Sequence, residues 1–500
     1  MNKQLSTVFI PNRSEVALRI QATCHARGLR TIAVYAPEDR DLLYVANASA
    51  AYPLAGQGSS AYLQQEELVA LALRSGADAV HPGYGFLSEQ ASFAQRVINA
   101  GLTWLGPSPK AMAAMASKEQ ARLIAQQANV PTVPGILVTD ISAEARDQAF
   151  TIADHIGFPV IIKDPLGGGG KGMRRVMAAA DFAAAWDAVV TEATRQTNTK
   201  ALLIEKYIVA GRHIEVQIAG DSTKVIHLFE RECSIQRRHQ KIIEEAPAAF
   251  ISNELKQQLY QAACRLAAAV AYDSIGTVEF IVTPDEQWYF LEMNTRLQVE
   301  HGVTELITGI DLVGLQIDLA QTGVLPFAQA DVQQRGHAIQ CRLYAENPRE
   351  RFMPSTGTLQ GLTWPHHPQA RLEHDLHKGM AITPFFDPMI AKLLSYGATR
   401  EQARVTMQSL LARLFIAGIT TNQHLLAGIL QSAFFVNGVF HTQTLADHDL
   451  VLLLSQEQQA SSDDELYAGL AFALASEHNP TQQTPQEIST ARRWKEQPWR

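Results

Sequence analysis

Short apolar runs alternate with amphipathic stretches through the first hundred residues. Ser6–Ile10 is a short apolar run, and Ser14–Arg27 then carries Val16, Ile20 and Cys24 at helical spacing on one face. Gly28 stands where a helix is expected to end, and Thr31–Tyr35 is rich in residues that favour strands. The alternation continues through a helix over Gln65–Arg74, then Gly76, then a strand over Ala77–His81. Helices between short apolar strands predict a doubly wound parallel sheet covered on both faces. Such sheets bind ligands at the carboxyl ends of their strands, and HPGYGFLSE (His81–Glu89) falls at one of these ends. A turn that needs glycine accounts for the same residues equally well.

A Val/Pro-rich connector, Val130–Gly135, marks the next boundary. A helix is predicted over Ala143–Ile156 and a strand over Pro159–Lys163, followed by a glycine run and further strands and helices to about residue 330. From Arg335 to about Thr442 the pattern is mixed. The tail differs: Gln456–Asp463 and His478–Gln486 are polar and flank one apolar helix, Glu465–Ala475. Polar stretches of this kind bury too little surface to order themselves, so they read as linkers. No internal repeat is present.

Length and composition narrow the class. At roughly 150 residues per domain, 500 residues allow about three domains. A net charge of −8 disfavours a dedicated nucleic-acid binder. No apolar run approaches the ~18 residues that span a bilayer, and Val8–Ile10 is too short for a signal-peptide core. Cys24, Cys233, Cys264 and Cys341 are far apart, as expected of reduced thiols in a cytoplasmic protein. An intracellular enzyme, away from membranes, is the expectation.

Three segments carry chemistry. In the first, Gly167-Gly168-Gly169-Gly170-Lys171-Gly172, bare amides can close over phosphate oxygens while Lys163 and Lys171 add charge. It is not a P-loop, since Gly172 stands where Ser or Thr is required; a long hairpin between strands Pro159–Lys163 and Met173–Met177 is predicted. The second is Gly276–Glu300, where Pro284–Gln287 reads as a hairpin turn. With Pro284 facing Gln287, Glu279 falls directly opposite Glu292. Alternation puts Asn294 and Arg296 on that face, and Phe280, Leu291 and Met293 on the other. Facing carboxylates repel, and a divalent cation between them would remove the repulsion. The third, ERECSIQRRHQKIIEE (Glu230–Glu245), reads either as a solvated charged face or as a site for a small anion beside phosphates.

Together these residues resemble the biotin carboxylases, within the ATP-grasp group, over about residues 5–445. The resemblance rests on IPNRSEVALR, HPGYGFLSE, PVIIK…GGGGKGM, EKYI…RHIEVQ, ERECSIQRRHQKIIEEAP, EMNTRLQVEH and Gln340-Cys341-Arg342, in register. It implies an α/β and α+β multidomain fold: a parallel-sheet domain at 1–115, an ATP-grasp domain at 116–330 with a mobile lid at about 132–205, a mixed α+β domain at 333–445, and a tail at 446–500. It also implies ATP, Mg²⁺ or Mn²⁺, and biotin on a carrier protein or domain. Lys118, Lys163 and the glycines would bind phosphates; Glu205, Lys206 and Ile208 would line the adenine pocket, with His213 and Gln236 near the nucleotide. Glu279, Glu292 and Asn294 would hold the metal. Lys241, Arg296, Gln298 and the Val299 backbone would bind bicarbonate, Glu300 would deprotonate it, and Arg342 would stabilise the biotin enolate.

The implied partners are a biotin carboxyl carrier, a carboxyltransferase subunit and a second copy of the chain or a larger complex, within an acetyl-CoA or other acyl-CoA carboxylase. Another ATP-grasp carboxylate–amine ligase and a non-catalytic nucleotide-binding scaffold are the alternatives. The sequence departs from the family at Asp164-Pro165-Leu166, where small residues are usual, and at Ser14, Ile275 and Gly302, which replace Gly, Ala and Pro. Proline stiffens a hinge and leucine adds bulk, so slower lid closure is expected. The tail lacks the Ala-Met-Lys-Met biotin-attachment motif.

Overall fold

The structure is a computed structural model that describes residues 4–165, 172–197, 199–448 and 453–454. The glycine run Gly167–Gly170 with Lys171, Leu166 of the hinge, and the expected tail helix Glu465–Ala475 lie outside the described residues.

In the N-terminal region, strands Ala50–Pro53, Arg30–Tyr35, Thr7–Ile10, Ala79–Val80 and Thr103–Trp104 lie side by side in that order, all parallel. The two-residue period of the central strand explains why both faces are covered. Val8 and Ile10 pack with Val16, Ile20 and Cys24 of the helix Ser14–Ala26, whereas Phe9 enters a second core with Leu68, Leu71, Phe93 and Val97. The strand expected over Ala77–His81 is reduced to Ala79–Val80. Asp78 spends its carboxylate on the Ser6 and Thr7 amides, at 2.8 and 2.9 Å, and Pro82 has no N–H to extend the ladder. Ser14, where the family usually has glycine, sits at φ +57°, a backbone region that favours residues without a Cβ.

The His81–Glu89 loop forms the tight turn foreseen for it at the carboxyl end of the strand Ala79–Val80. A Cβ on Gly83 would lie 2.9 Å from Val16 Cγ2 at φ +65°, so this turn requires glycine. The Asn12 amide then ties the loop to the end of the first strand by donating to the Pro82 and Tyr84 carbonyls, each at 2.8 Å.

An eight-stranded antiparallel sheet forms the centre. Its order is Trp288–Asn294, Ile275–Val282, Arg212–Gly220, Val225–Arg237, Gln240–Ala246, His337–Tyr344, Met389–Gly397 and Ala370–His374. The pairing of Gln240–Ala246 with His337–Tyr344 carries the sheet straight across the division expected near residue 330, so both regions share one sheet. Glu230–Glu245 supplies two of its central strands. The solvated charged face is confined to the turn, where Arg238 and His239 are exposed, while Arg231, Glu232, Glu244 and Glu245 are all buried.

A separate four-stranded sheet, ordered Gly135–Val138, Leu202–Lys206, Val160–Lys163 and Met173–Val176, is covered by the helices Ala143–Ile156 and Phe182–Gln196. Its own core is built on Phe182, Trp186 and Val189. Strands Val160–Lys163 and Met173–Val176 pair as the foreseen hairpin. At its base the Asp164 amide donates to the Gly172 carbonyl at 2.9 Å, and the buried Asp164 carboxylate accepts the Thr197 hydroxyl at 2.6 Å. The acidic hinge residue is thus fastened to the lid's own helix end. Gly302, in place of the usual proline, leaves space that the Arg371 guanidinium fills, 2.2 Å from where a Cβ would stand.

Candidate active site

A cavity of about 500 Å³ lies between the lid sheet and the eight-stranded sheet. Every residue expected at the site, outside the glycine run, lines it. Lys118 comes from the start of the helix Lys118–Gln127. Lys163, Glu205 and Lys206 come from the lid strands, with Ile208 just after them. His213, Gln236, Lys241, Glu279, Glu292, Asn294 and Arg342 stand on the central sheet, and Arg296, Gln298, Val299 and Glu300 on the loop that leaves it. The Lys206 ammonium caps a helix end, donating to the Gly157 and Phe158 carbonyls at 2.8 and 3.1 Å.

The facing pair Glu279 and Glu292 is present in the foreseen register, by a different route. The turn contains three residues, closed by Thr283 N–H to the Gln287 carbonyl at 2.7 Å with Glu286 at φ +60°. Phe280 consequently pairs with Phe290, and a bulge after Glu279 restores the register. The extra residue is Leu291, which was expected on the core face and instead lines the cavity, while Phe290 is buried with Phe280 and Met293.

Lys241 is the electrostatic centre. Its ammonium lies 2.6 Å from Glu215, 3.0 Å from Glu279 and 2.7 Å from Glu300. Burial opposes its charge, but the three carboxylates outweigh this and raise its pKa. For Glu279, burial is likewise outweighed by Lys241 and by His213, whose Nε2 is 3.0 Å away, and its pKa falls. Beneath them Arg231 is fully buried. It donates to Glu215 at 2.5 Å, Gln217 at 2.7 Å, Thr304 at 2.9 Å, Thr277 at 3.1 Å and Gln298 at 2.5 Å. Glu300 lies between Lys241 and Arg342, whose Nη2 is 3.1 Å from it. Burial would raise its pKa, yet Lys241 and Arg342 hold it at about 2 despite the nearby Glu215 charge.

The anion-facing loop is held from both sides. Arg296 donates to Asn294 at 2.9 Å and pairs with Glu89 of the HPGYGFLSE loop at 2.8 Å. The fully buried Lys392 donates to the Val299 carbonyl at 3.1 Å and pairs with Glu15 at 3.1 Å and Glu373 at 2.6 Å.

The donor set suits a hard divalent cation. Glu279 accepts from Lys241, Asn294 and Gln298. Glu292, water-exposed beside it, makes no hydrogen bond or ion pair among the described residues. Desolvation by the cleft walls and the Glu279 charge raise the Glu292 pKa, a repulsion that a bound cation would cancel.

Sequence reasoning missed Glu215 and Arg122. Glu215 follows His213 at strand period within RHIEVQ, which was the available signal. Arg122 follows Lys118 by one helical turn.

An antiparallel sheet, a separate lid sheet and a cleft of lysines and carboxylates between them define an ATP-grasp ligase. Residues 4–112 match the family described as biotin carboxylase, N-terminal domain; 117–327 match the carbamoyl-phosphate synthase L chain ATP-binding domain; and 340–447 match the biotin carboxylase C-terminal domain. Biotin carboxylase 2 of Bacillus subtilis is 43% identical over 446 residues, 88% of this chain and 99% of that one. The mitochondrial methylcrotonoyl-CoA carboxylase subunit alpha of Arabidopsis thaliana is 42% identical over 468 residues, 92% of this chain but 63% of that subunit. The Campylobacter jejuni biotin carboxylase structure superposes with a TM-score of 0.85 at 38% identity, covering 89% of this chain and 99% of that one. The Hydrogenobacter thermophilus 2-oxoglutarate carboxylase biotin carboxylase domain dimer, solved with MgADP and bicarbonate, gives 0.85 at 38% identity over 89% and 98%. The chain belongs to the biotin carboxylases, which are ATP-dependent ligases.

Replacing Arg231 by alanine removes the counter-charge on one oxygen of the buried Glu215, leaving it Lys241 alone, and takes the donor from the Gln217 and Gln298 oxygens. A loss of about 3–5 kcal/mol is expected, read as a lower denaturant midpoint than wild type.

Proposed function

We propose that this cavity uses ATP to activate bicarbonate and passes the carboxyl group to biotin on a carrier protein or domain. One observation carries the reading: Lys241, Glu300 and Arg342 form a continuous ion-pair chain in the cavity wall beside the facing Glu279 and Glu292. Lys241, Arg296, Gln298 and the Val299 amide surround space for a small anion. Bicarbonate entering there takes Lys241 as its counter-ion. Glu300 then loses its strongest cationic partner, its proton affinity rises, and it can remove the bicarbonate proton.

The deprotonated oxygen attacks the γ-phosphorus as the bond to ADP breaks, giving carboxyphosphate. Lys118, Lys163 and the glycine amides would hold the phosphate oxygens in place. A divalent cation held by Glu279, Glu292 and Asn294 would supply further charge neutralisation for those phosphates. Arg342, beside Glu300, would stabilise the negative charge on the ureido oxygen of biotin as its N–H proton leaves; the nitrogen takes the carboxyl carbon of carboxyphosphate, whose bond to phosphate breaks, and the released phosphate carries off the proton.

The same reading takes 1–115, 116–330 with the lid at about 132–205, and 333–445 as the working units, the last two sharing one sheet. Relatives that are subunits of larger carboxylases support work alongside a biotin carrier and a carboxyltransferase, and the relative solved as a dimer supports a paired copy. A cytoplasmic location belongs to the same reading; no helix among the described residues is long and apolar enough to cross a membrane.

The direct test is ADP release from ATP with and without bicarbonate, with free biotin added. Bicarbonate-dependent turnover that rises with biotin is expected; nucleotide binding without turnover would favour a scaffold.

In the same assay Glu300→Ala should lower the bicarbonate-dependent rate by about 10²-fold or more, as for loss of a general base, while nucleotide affinity stays within a few-fold of wild type. Collapse of ATP affinity would move Glu300 to the nucleotide site.

Glu292→Gln should lose Mg²⁺-dependent turnover with an unchanged thermal melt. A wild-type Mg²⁺ titration curve in this variant would exclude the assignment.

A further inference from the structure

Arg122 joins the lid to the body of the protein across the nucleotide cleft. It stands on the helix Lys118–Gln127, whose buried residues Ala121 and Ala125 pack into the core that holds Leu259 and Phe290, outside the lid. Its Nη1 lies 2.5 Å from Glu205 Oε1, and its Nη2 donates to the Gly135 carbonyl at 3.2 Å. Both acceptors belong to adjacent strands of the lid sheet, where Gly135 and Glu205 are direct partners. A side chain at Gly135 would come within 2.7 Å of Glu205 Cγ, so the bare backbone is what lets the carboxylate lie against it.

The second oxygen of the same carboxylate is already engaged. Glu205 Oε2 lies 2.5 Å from the ammonium of Lys163, the lid lysine that faces the phosphate side of the cleft. Two cations, one from the body and one from the lid, thus share one buried anion. A nucleotide phosphate can recruit Lys163 only by drawing it off Glu205. With no other cation at hand, that exchange would leave a carboxylate only 9% exposed without a counter-charge, at a cost that opposes binding. Arg122 is placed to remove that cost, because it contacts the other oxygen and need not move.

Resting on the reading of this cleft as the ATP site, we propose that Arg122 is a positioning residue: it keeps Glu205 neutralised so that Lys163 can pass from Glu205 to the nucleotide phosphates. Without Arg122, Glu205 holds Lys163 undivided and ATP must compete for it. Removing the Glu205 charge as well would free Lys163 again. A tie that served only to brace the lid predicts the opposite, since Glu205→Gln would break the brace and the double variant would be no better than the single.

The test measures ATP affinity of the full chain by calorimetry for Arg122→Ala, Arg122→Lys, Glu205→Gln and the pair Arg122→Ala/Glu205→Gln. Arg122→Ala should weaken ATP binding about tenfold, with the KM for bicarbonate held within about twofold. Arg122→Lys should recover most of the loss, and the double variant should bind ATP severalfold more tightly than Arg122→Ala alone. Arg122→Gln, which keeps a donor for the Gly135 carbonyl without the charge, repeats the test if the alanine variant melts early. Unchanged ATP affinity in Arg122→Ala, or a double variant as weak as the single one, would overturn the role of Arg122 alone. A wild-type chain that binds no ATP would instead remove the reading of the cleft, and this role with it.

Discussion

The cavity depends on keeping the charge of Lys241 inside the protein. Withdrawing an ammonium from water costs several kcal/mol, and here three carboxylates within 3.0 Å offset it. Those carboxylates need cations of their own, supplied by Arg231, His213 and Arg342. The result is a lattice of alternating charge laid across neighbouring strands of one sheet. Because strands fix Lys241 and Arg342 and ion pairs hold the loop that carries Arg296, a small anion in the cavity would meet groups already aimed at it, with little reorganisation left for the moment of reaction.

The same lattice accounts for how the regions are joined. Arg296 reaches Glu89 on the N-terminal loop, and Lys392 brings together Glu15, Glu373 and the Val299 carbonyl. Residues from the N-terminal, central and C-terminal parts of the chain therefore converge on one turn, at which the anion is expected to sit. A sheet that runs on without interruption from Gln240–Ala246 into His337–Tyr344 is what makes that convergence rigid. The lid is built otherwise, around its own core of Phe182, Trp186 and Val189. A unit with separate packing can change its position without disturbing the sheet, as a cover over a nucleotide must.

Local signals read well. The helices Gln65–Arg74 and Ala143–Ile156 begin and end where the pattern placed them, the latter because the Ser142 side chain accepts the Ala145 amide as a cap. The facing of Glu279 and Glu292 was also legible from the two-residue period, but only because a three-residue turn and the bulge at Leu291 offset each other. Neither the bulge nor the exchange of Phe290 for Leu291 on the core face has a signature in alternation alone. Glu215 and Arg122 escaped notice for a related reason: each is defined by partners tens of residues away, Lys241 for the one and Glu205 for the other.

By itself the sequence determined the alternating elements of the first hundred residues, the order of the motifs and the identity of most of the charged residues that meet in the cavity. Only the tertiary structure decided the fate of Glu230–Glu245, whose charges suit a wet surface as readily as an interior. Placement between strands 212–220 and 337–344 buries Arg231, Glu244 and Glu245, and each finds an opposite charge there, Arg231 with Glu215, Glu244 with Arg342, Glu245 with His337 and Arg400, while Arg238 and His239 at the turn stay exposed. Whether a charge is buried is set by the partners that other strands deliver to it, and that delivery is a property of the sheet, not of the segment.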